Sequence, residues 1–177
     1  TGELNAKNTM ILDQSHAEDL VKSLGSHDWK VTHLETKPQT QNPYPPFITS
    51  TLQQEGIRKL RMNSTQVMRI AQGLYENGYI TYMRTDSIHL STEALNGSRA
   101  VIEKKYGKDY LPDKPRMYKS KSKNAQEAHE AIRPAGSTFK DPQDLKNILN
   151  DAEYKVYDLI WKRTVASQMN SAKIEQT

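Results

Sequence analysis

Four of the ten residues from Lys37 to Pro46 are proline, and this segment, KPQTQNPYPP, constrains the fold of the 177-residue chain more than any other. Proline fixes φ, lacks an amide donor and pushes the residue before it out of the helical region, so no helix or central strand can run through such a stretch. It also shows no apolar periodicity. It therefore reads as a linker. The boundary placed there gives three segments: residues 1–44, a body over 45–170, and a return segment over 171–177.

Upstream, Ser15-His-Ala-Glu18 has the form of a capping box. It predicts a helix to Leu24, stopped by Gly25, with Ala17, Leu20, Val21 and Leu24 on one face. Trp29–Thr36 is rich in β-formers and predicts a strand, which the last seven residues return to pair with. Downstream the periodicity turns helical. Ser50-Thr-Leu-Gln53 predicts a cap for a helix with Leu52, Ile57 and Leu60 on its face. Ser64 predicts the cap of a second, carrying Val67, Ile70, Ala71 and Leu74 and ended by Gly78. Two short helices followed by the extended run Tyr79–Arg84 have the order of a winged helix-turn-helix. Ser91 predicts a further cap, and Asn124-Ala-Gln-Glu127 opens a short helix that Pro134 must end. Asn150-Asp-Ala-Glu153 caps the longest helix, where Val156/Tyr157, Ile160/Trp161, Thr164/Val165 and Met169 recur as a core stripe. The expected fold class is mostly α, a helical body with a winged helix-turn-helix-like core and a small β stalk from a flanking domain.

The chain has no Cys, which excludes disulfides, thiolate metal sites and a cysteine nucleophile. No apolar run reaches the roughly 20 residues of a membrane helix. The absence of an initiator Met and of any tail signal reads as a piece of a longer protein. Charge is uneven: Lys104–Lys123 holds eight basic residues against Asp109 and Asp113, a local +6 within a net +4. Such a stretch suits a polyanion or is simply a solvated loop.

Two segments place chemistry-bearing residues close together. In Tyr79-Ile-Thr-Tyr-Met-Arg-Thr-Asp-Ser87, Tyr82 and Arg84 are two apart and share a face of extended backbone. A phenol near pKa 10 is a weak nucleophile. A neighbouring guanidinium favours the phenolate and can clamp a phosphate, so Tyr-x-Arg fits covalent attack on a phosphodiester. An ordinary packed Tyr with a surface Arg is the alternative. In Gln126-Glu-Ala-His-Glu-Ala-Ile-Arg-Pro134, His129 and Arg133 lie one helical turn apart on the predicted helix, as a phosphate subsite would need. The same spacing would suit a salt-bridged surface face. A zinc reading fails because Arg occupies the second ligand position. Nine Tyr against two Phe, with Tyr75, Tyr79 and Tyr82 clustered, would serve base stacking or an amphipathic core equally.

PPFITSTLQQE at 45–55, ITYMRTDS at 80–87, QEAHEAIRP at 126–134 and LIWKRTVASQM at 159–169 together resemble the signature stretches of the bacterial DNA topoisomerase I family, the type IA class. Met83 matches that branch better than the topoisomerase III branch, where Pro is usual. The resemblance implies that Tyr82 is the nucleophile, forming a 5′-phosphotyrosine link with single-stranded DNA within negatively supercoiled duplex. It implies that Arg84 holds the scissile phosphate and that His129 lies near it, with Arg133 a further phosphate or DNA contact. Thr85 and Asp86 would support that site, Asp86 as a partner of His129. The family takes Mg²⁺ on acidic residues of a Toprim domain, which this sequence does not resemble. The expected metal ligands therefore lie outside it, and the isolated piece is expected to fold without cleaving or relaxing DNA. Its partners would be DNA and the remaining domains of the parent chain, with no membrane. Its place would be the cytoplasm, at the nucleoid. Residues 1–44 and 171–177 would belong to the family's hinge domain. The competing reading is a non-catalytic winged-helix module that binds nucleic acid through residues 104–123.

Overall fold

A computed structural model of the chain describes residues 12–118 and 129–177. The elements run α1 (Gln14–Gly25), β1 (Lys37–Gln41), α2 (Thr49–Leu60), α3 (Ser64–Glu76), α4 (Thr92–Tyr106), a 3₁₀ turn (Lys108–Tyr110), α5 (Pro142–Leu145), α6 (Asp151–Ser167) and β2 (Ala172–Gln176). The architecture is mostly α, with one two-stranded sheet of β1 and β2. No helix among the described residues is long and apolar enough to cross a membrane. The chain divides into two compact units. One takes the residues up to Lys37 with Glu175–Thr177, and the other spans Pro38–Ile174.

In the first unit α1 starts at Asp13, whose carboxylate accepts from the His16 amide at 2.9 Å, two residues before the predicted cap at Ser15. Aspartate is at least as good a cap as serine, and the earlier position wins. None of its residues is buried; the predicted face of Leu20, Val21 and Leu24 is exposed. The predicted strand over 29–36 does not form, and Trp29, Val31 and Leu34 are exposed. The strand is instead KPQTQ, the first half of the expected linker, and β2 pairs there. Pro38 is tolerated because a two-stranded sheet has only edges.

The second unit is built on α6. Its cap is as expected: Asn150 Oδ1 accepts from Ala152 and Glu153, and Glu153 accepts from the Asn150 amide at 3.1 Å. The stripe of Val156, Tyr157, Ile160, Trp161, Thr164 and Val165 is buried against α2, α3, α4 and α5. Asn63, not Ser64, caps α3, exchanging hydrogen bonds with Gln66. α3 buries Val67, Ala71 and Leu74 as its periodicity requires. In α2 the buried residue beside Leu52 is Gly56, while Ile57 faces outward. A Cβ on Gly56 would lie 2.5 Å from Val67 Cγ2, so the missing side chain is what lets α2 and α3 approach.

Arg163 of α6 ties the proline-rich segment down. Its guanidinium stacks 4.2 Å from the Phe47 ring centroid and 5.2 Å from that of Tyr44, and lies 3.5 Å from Glu55 of α2. The Arg58 hydrogen bond, with help from Lys59, holds the Glu55 carboxyl at about 2 against the opposing effect of burial. Because this value is depressed, the ionised form contributes its full stability above the usual 4.5 and loses it as pH falls toward 2. Glu55→Gln should therefore flatten the loss of urea resistance between those pH values, by about 1 kcal/mol given the exposed Arg58 and Lys59. Parallel acid titrations of the urea midpoint would check this.

Candidate active site

Residues 129–135 form an extended strap through the middle of the second unit. The predicted helix from Asn124 lies outside the described residues up to position 128, and residues 129–135 are not helical. Pro134 forces its predecessor into extended geometry, and the backbone donors find partners in other segments. Ala131 N–H bonds His89 O at 2.9 Å, Ile132 N–H bonds Phe47 O at 2.8 Å, and Ala135 N–H bonds Tyr79 O at 2.9 Å. Isolated bridges join Phe47 to Ile132 and Ile80 to Pro134. His129 and Arg133 therefore do not share a helix face.

The strap holds the segment 79–87 from one side and α2 holds it from the other. Thr81 Oγ1 donates to Ala131 O at 2.8 Å and accepts from the Arg133 amide at 3.0 Å. Thr49, the first residue of α2, donates from Oγ1 to Met83 O at 2.8 Å and accepts from the Thr85 amide at 3.0 Å. Its own amide bonds Thr85 O. Sequence reasoning passed over both threonines; their signal was only proximity to the motifs. Between these anchors burial alternates. Met83, Thr85 and Ser87 point inward; Tyr82, Arg84 and Asp86 point out. Thr85 Oγ1 accepts from the Ser87 amide at 3.1 Å, so it serves the turn rather than the surface.

Tyr82 is 40% exposed. Its ring packs edge-on against Tyr75 of α3, centroids 5.2 Å apart, and lies 6.4 Å from the His129 ring. Arg84, Asp86 and His129 line one groove of about 500 Å³ with Thr49, Ser50 and Gln53 of α2. No hydrogen bond joins Asp86 to His129 among the described residues.

Arg133 is elsewhere. It is 5% exposed. Nε and Nη2 donate to Glu130 Oε2 at 3.1 and 2.7 Å, and Nη1 donates to the carbonyls of Pro134 and Gly136 at 2.8 and 2.9 Å. Burial raises the Glu130 carboxyl, but Arg133 and Ser91 outweigh it and the net shift is downward. With those donors engaged inside the fold, Arg133 is placed as a brace for the strap.

The basic stretch is likewise partly occupied. Lys105 is paired with Asp141 and stacks on Trp161, Lys108 lies 3.5 Å from Glu103, and Arg116 bonds Met169 O and Ser171. Lys119, Lys121 and Lys123 lie outside the described residues. Among those described, no three His, Asp or Glu side chains group as a metal site would require.

An exposed tyrosine and an exposed arginine on a doubly anchored turn, with a histidine carried in by a strap, form an arrangement suited to phosphodiester chemistry. The DNA topoisomerase family model matches residues 2–177, and the chain belongs to the bacterial DNA topoisomerase I family, the type IA class. It is 56% identical over 174 residues to DNA topoisomerase 1 of Synechococcus elongatus, covering 98% of this chain and 20% of that protein. It is 54% identical over 164 residues to DNA topoisomerase 1 of Mycolicibacterium smegmatis, covering 93% and 18%. The full-length topoisomerase I of Thermotoga maritima superposes with a TM-score of 0.75 at 35% identity, over 97% of this chain and 28% of that one. The chain spans about a fifth of the length of the curated relatives it matches.

Proposed function

We propose that this chain is the tyrosine-bearing part of a longer type IA topoisomerase, which cleaves and rejoins single-stranded DNA and so relaxes negative supercoils. The observation that carries the reading is that Tyr82 and Arg84 are both exposed around the buried Met83, with the His129 ring 6.4 Å from that of Tyr82 and His129 lining a groove with Arg84. The Tyr82 phenol gives up its proton and its oxygen bonds to phosphorus. The P–O3′ bond breaks, and the 3′ oxygen leaves as a hydroxyl, taking up a proton. One phosphodiester replaces another, so resealing runs the same step backward without ATP. Arg84 meets the charge that builds on the phosphoryl oxygens, and His129 lies at the same groove. Thr85 and Asp86 support them, Thr85 by holding the turn.

Among the described residues no three acidic or histidine side chains group as a Mg²⁺ site would need. The family's metal would belong to other domains of the parent. α2, the connection 61–63, α3 and the segment 79–85 keep the order of a winged helix-turn-helix, which we take as the DNA-facing core. Residues 1–44 and 171–177 would belong to a hinge domain, and 45–170 to the tyrosine domain. With chromosomal DNA as substrate, the enzyme would act in the cytoplasm at the nucleoid.

The test uses the full-length enzyme that carries this chain. A single-stranded oligonucleotide is cleaved in the presence of Mg²⁺, the adduct is trapped with denaturant, and the linked peptide is mapped. The adduct should map to Tyr82; any other residue overturns the reading. Arg84→Ala, an exposed position, should slow cleavage by roughly 100-fold, about 3 kcal/mol of transition-state stabilisation. Single-turnover cleavage at the wild-type rate would remove Arg84 from the mechanism.

A further inference from the structure

Arg84 and Gln53 are walls common to two concavities. One is the groove with Asp86 and His129. The other, about 560 Å³, continues along α3, lined there by Ser64, Thr65, Arg69 and Gln72. Thr65, Met68, Arg69 and Gln72 follow the i, i+3, i+4, i+7 spacing of one helical face, distinct from the core stripe of Val67, Ala71 and Leu74. Among the described residues no carboxylate lines this second groove. Arg69 is exposed and makes no ion pair or hydrogen bond among the described residues.

Other basic concavities differ. Between α2 and α6, Lys59, Lys155 and Lys162 each lie within 2.9 Å of a carboxylate of Glu55, Asp151 or Asp158. Beside α4, Asp141 and Asp144 line the concavity among Lys104, Lys105 and Lys140, and Lys105 is paired with Asp141. A polyanion gains from counterion release at cations not already neutralised. That selects the α3 groove. Its hydroxyls and amides suit phosphate and sugar contacts that carry no base identity.

We propose that the α3 groove holds the DNA segment on the 3′ side of the scissile phosphate, with Arg69 gripping a backbone phosphate beyond the one at Arg84. The inference rests on the phosphotyrosine reading above. Attack by Tyr82 leaves the 5′-phosphoryl end on this body, so the segment that stays attached is the 3′ one. A groove leading away from Arg84 on the same body is where that segment can lie.

The experiment uses the full-length enzyme and two series of oligonucleotides around one mapped cleavage position, shortened from the 3′ end or from the 5′ end. Arg69→Gln should weaken binding about 5- to 10-fold for oligonucleotides extending several nucleotides 3′ of the cut. Those ending beside the cut should be unaffected. The slope of log K against log salt should fall by about 0.7, one single-strand phosphate contact, and Arg69→Lys should restore it. Arg69 bonds nothing among the described residues, so thermal unfolding should not change. Wild-type affinity and salt slope on every substrate would overturn the inference, as would a loss confined to 5′ extensions or equal in both series. Wild-type enzyme that forms its adduct away from Tyr82 would overturn the underlying reading, and this inference with it. A Tyr82 adduct with an indifferent Arg69→Gln would sink the groove alone.

Discussion

Tyr82→Phe in the full-length enzyme is expected to reduce covalent protein–DNA adduct to background, a loss on the order of 10⁶ in rate, the scale seen when a covalent nucleophile is deleted. The fold should not register the change. The Tyr82 ring supplies the packing, edge-on to Tyr75 and near His129, and Phe keeps the ring. The hydroxyl makes no hydrogen bond among the described residues, so nothing inside the protein is left unpartnered. Non-covalent affinity for single-stranded DNA should change only a few-fold, because one neutral hydrogen bond is worth about 1 kcal/mol. Denaturing gels for the adduct and equilibrium binding at fixed salt would separate the two effects. Adduct persisting in the Phe variant would remove Tyr82 from the chemistry. A large parallel loss of binding would point instead to a module that works by affinity.

The second large effect is on stability. Arg133→Ala should cost about 3–5 kcal/mol, the range for breaking a buried ion pair from one side. The carboxylate of Glu130 would lose its main partner in a half-buried site, and the carbonyls of Pro134 and Gly136 would lose a donor. Since the strap fixes Thr81 and brings in His129, adduct formation should also fall, but only in step with the folded fraction. Chemical denaturation of the variant gives the first quantity, and adduct yield per folded molecule the second. Normal stability with weakened phosphate affinity would restore Arg133 to the DNA contacts. Arg133→Met with Glu130→Gln should recover much of the loss, because the pair is then removed from both sides rather than broken.

How far the site was legible in the sequence differs residue by residue. Tyr82 and Arg84 are two apart, and the alternation of buried and exposed side chains over 82–87 is a local property of the backbone. Their shared exposure follows the spacing. The opening Asn124-Ala-Gln-Glu127 and the stop at Pro134 predict a helix that would carry His129 and Arg133. Propensity is a weak preference, and the backbone partners at Phe47, Tyr79, Thr81 and His89 override it. No spacing rule could reveal those partners, for they lie more than 30 residues away in sequence. The same holds for Thr49, whose role exists only because α2 begins beside residues 83–85. β1 is another case: Trp29–Thr36 has the better strand composition, yet the polar, proline-containing KPQTQ forms the strand.

The amino-acid sequence by itself determined the helical class, the caps of α4 and α6, and the core stripes of α3 and α6, and it singled out the two segments that meet beside Tyr82. Each depends on residues within one or two turns of one another, where periodicity and capping act. Tertiary structure alone decided that the His129 segment is an extended strap, that Arg133 is a buried brace, and that Arg69 lines the groove leading from Arg84 with no ion pair among the described residues. These are outcomes of which distant backbone and charged groups find each other once the core closes, because a buried donor or charge must be partnered wherever the fold puts it.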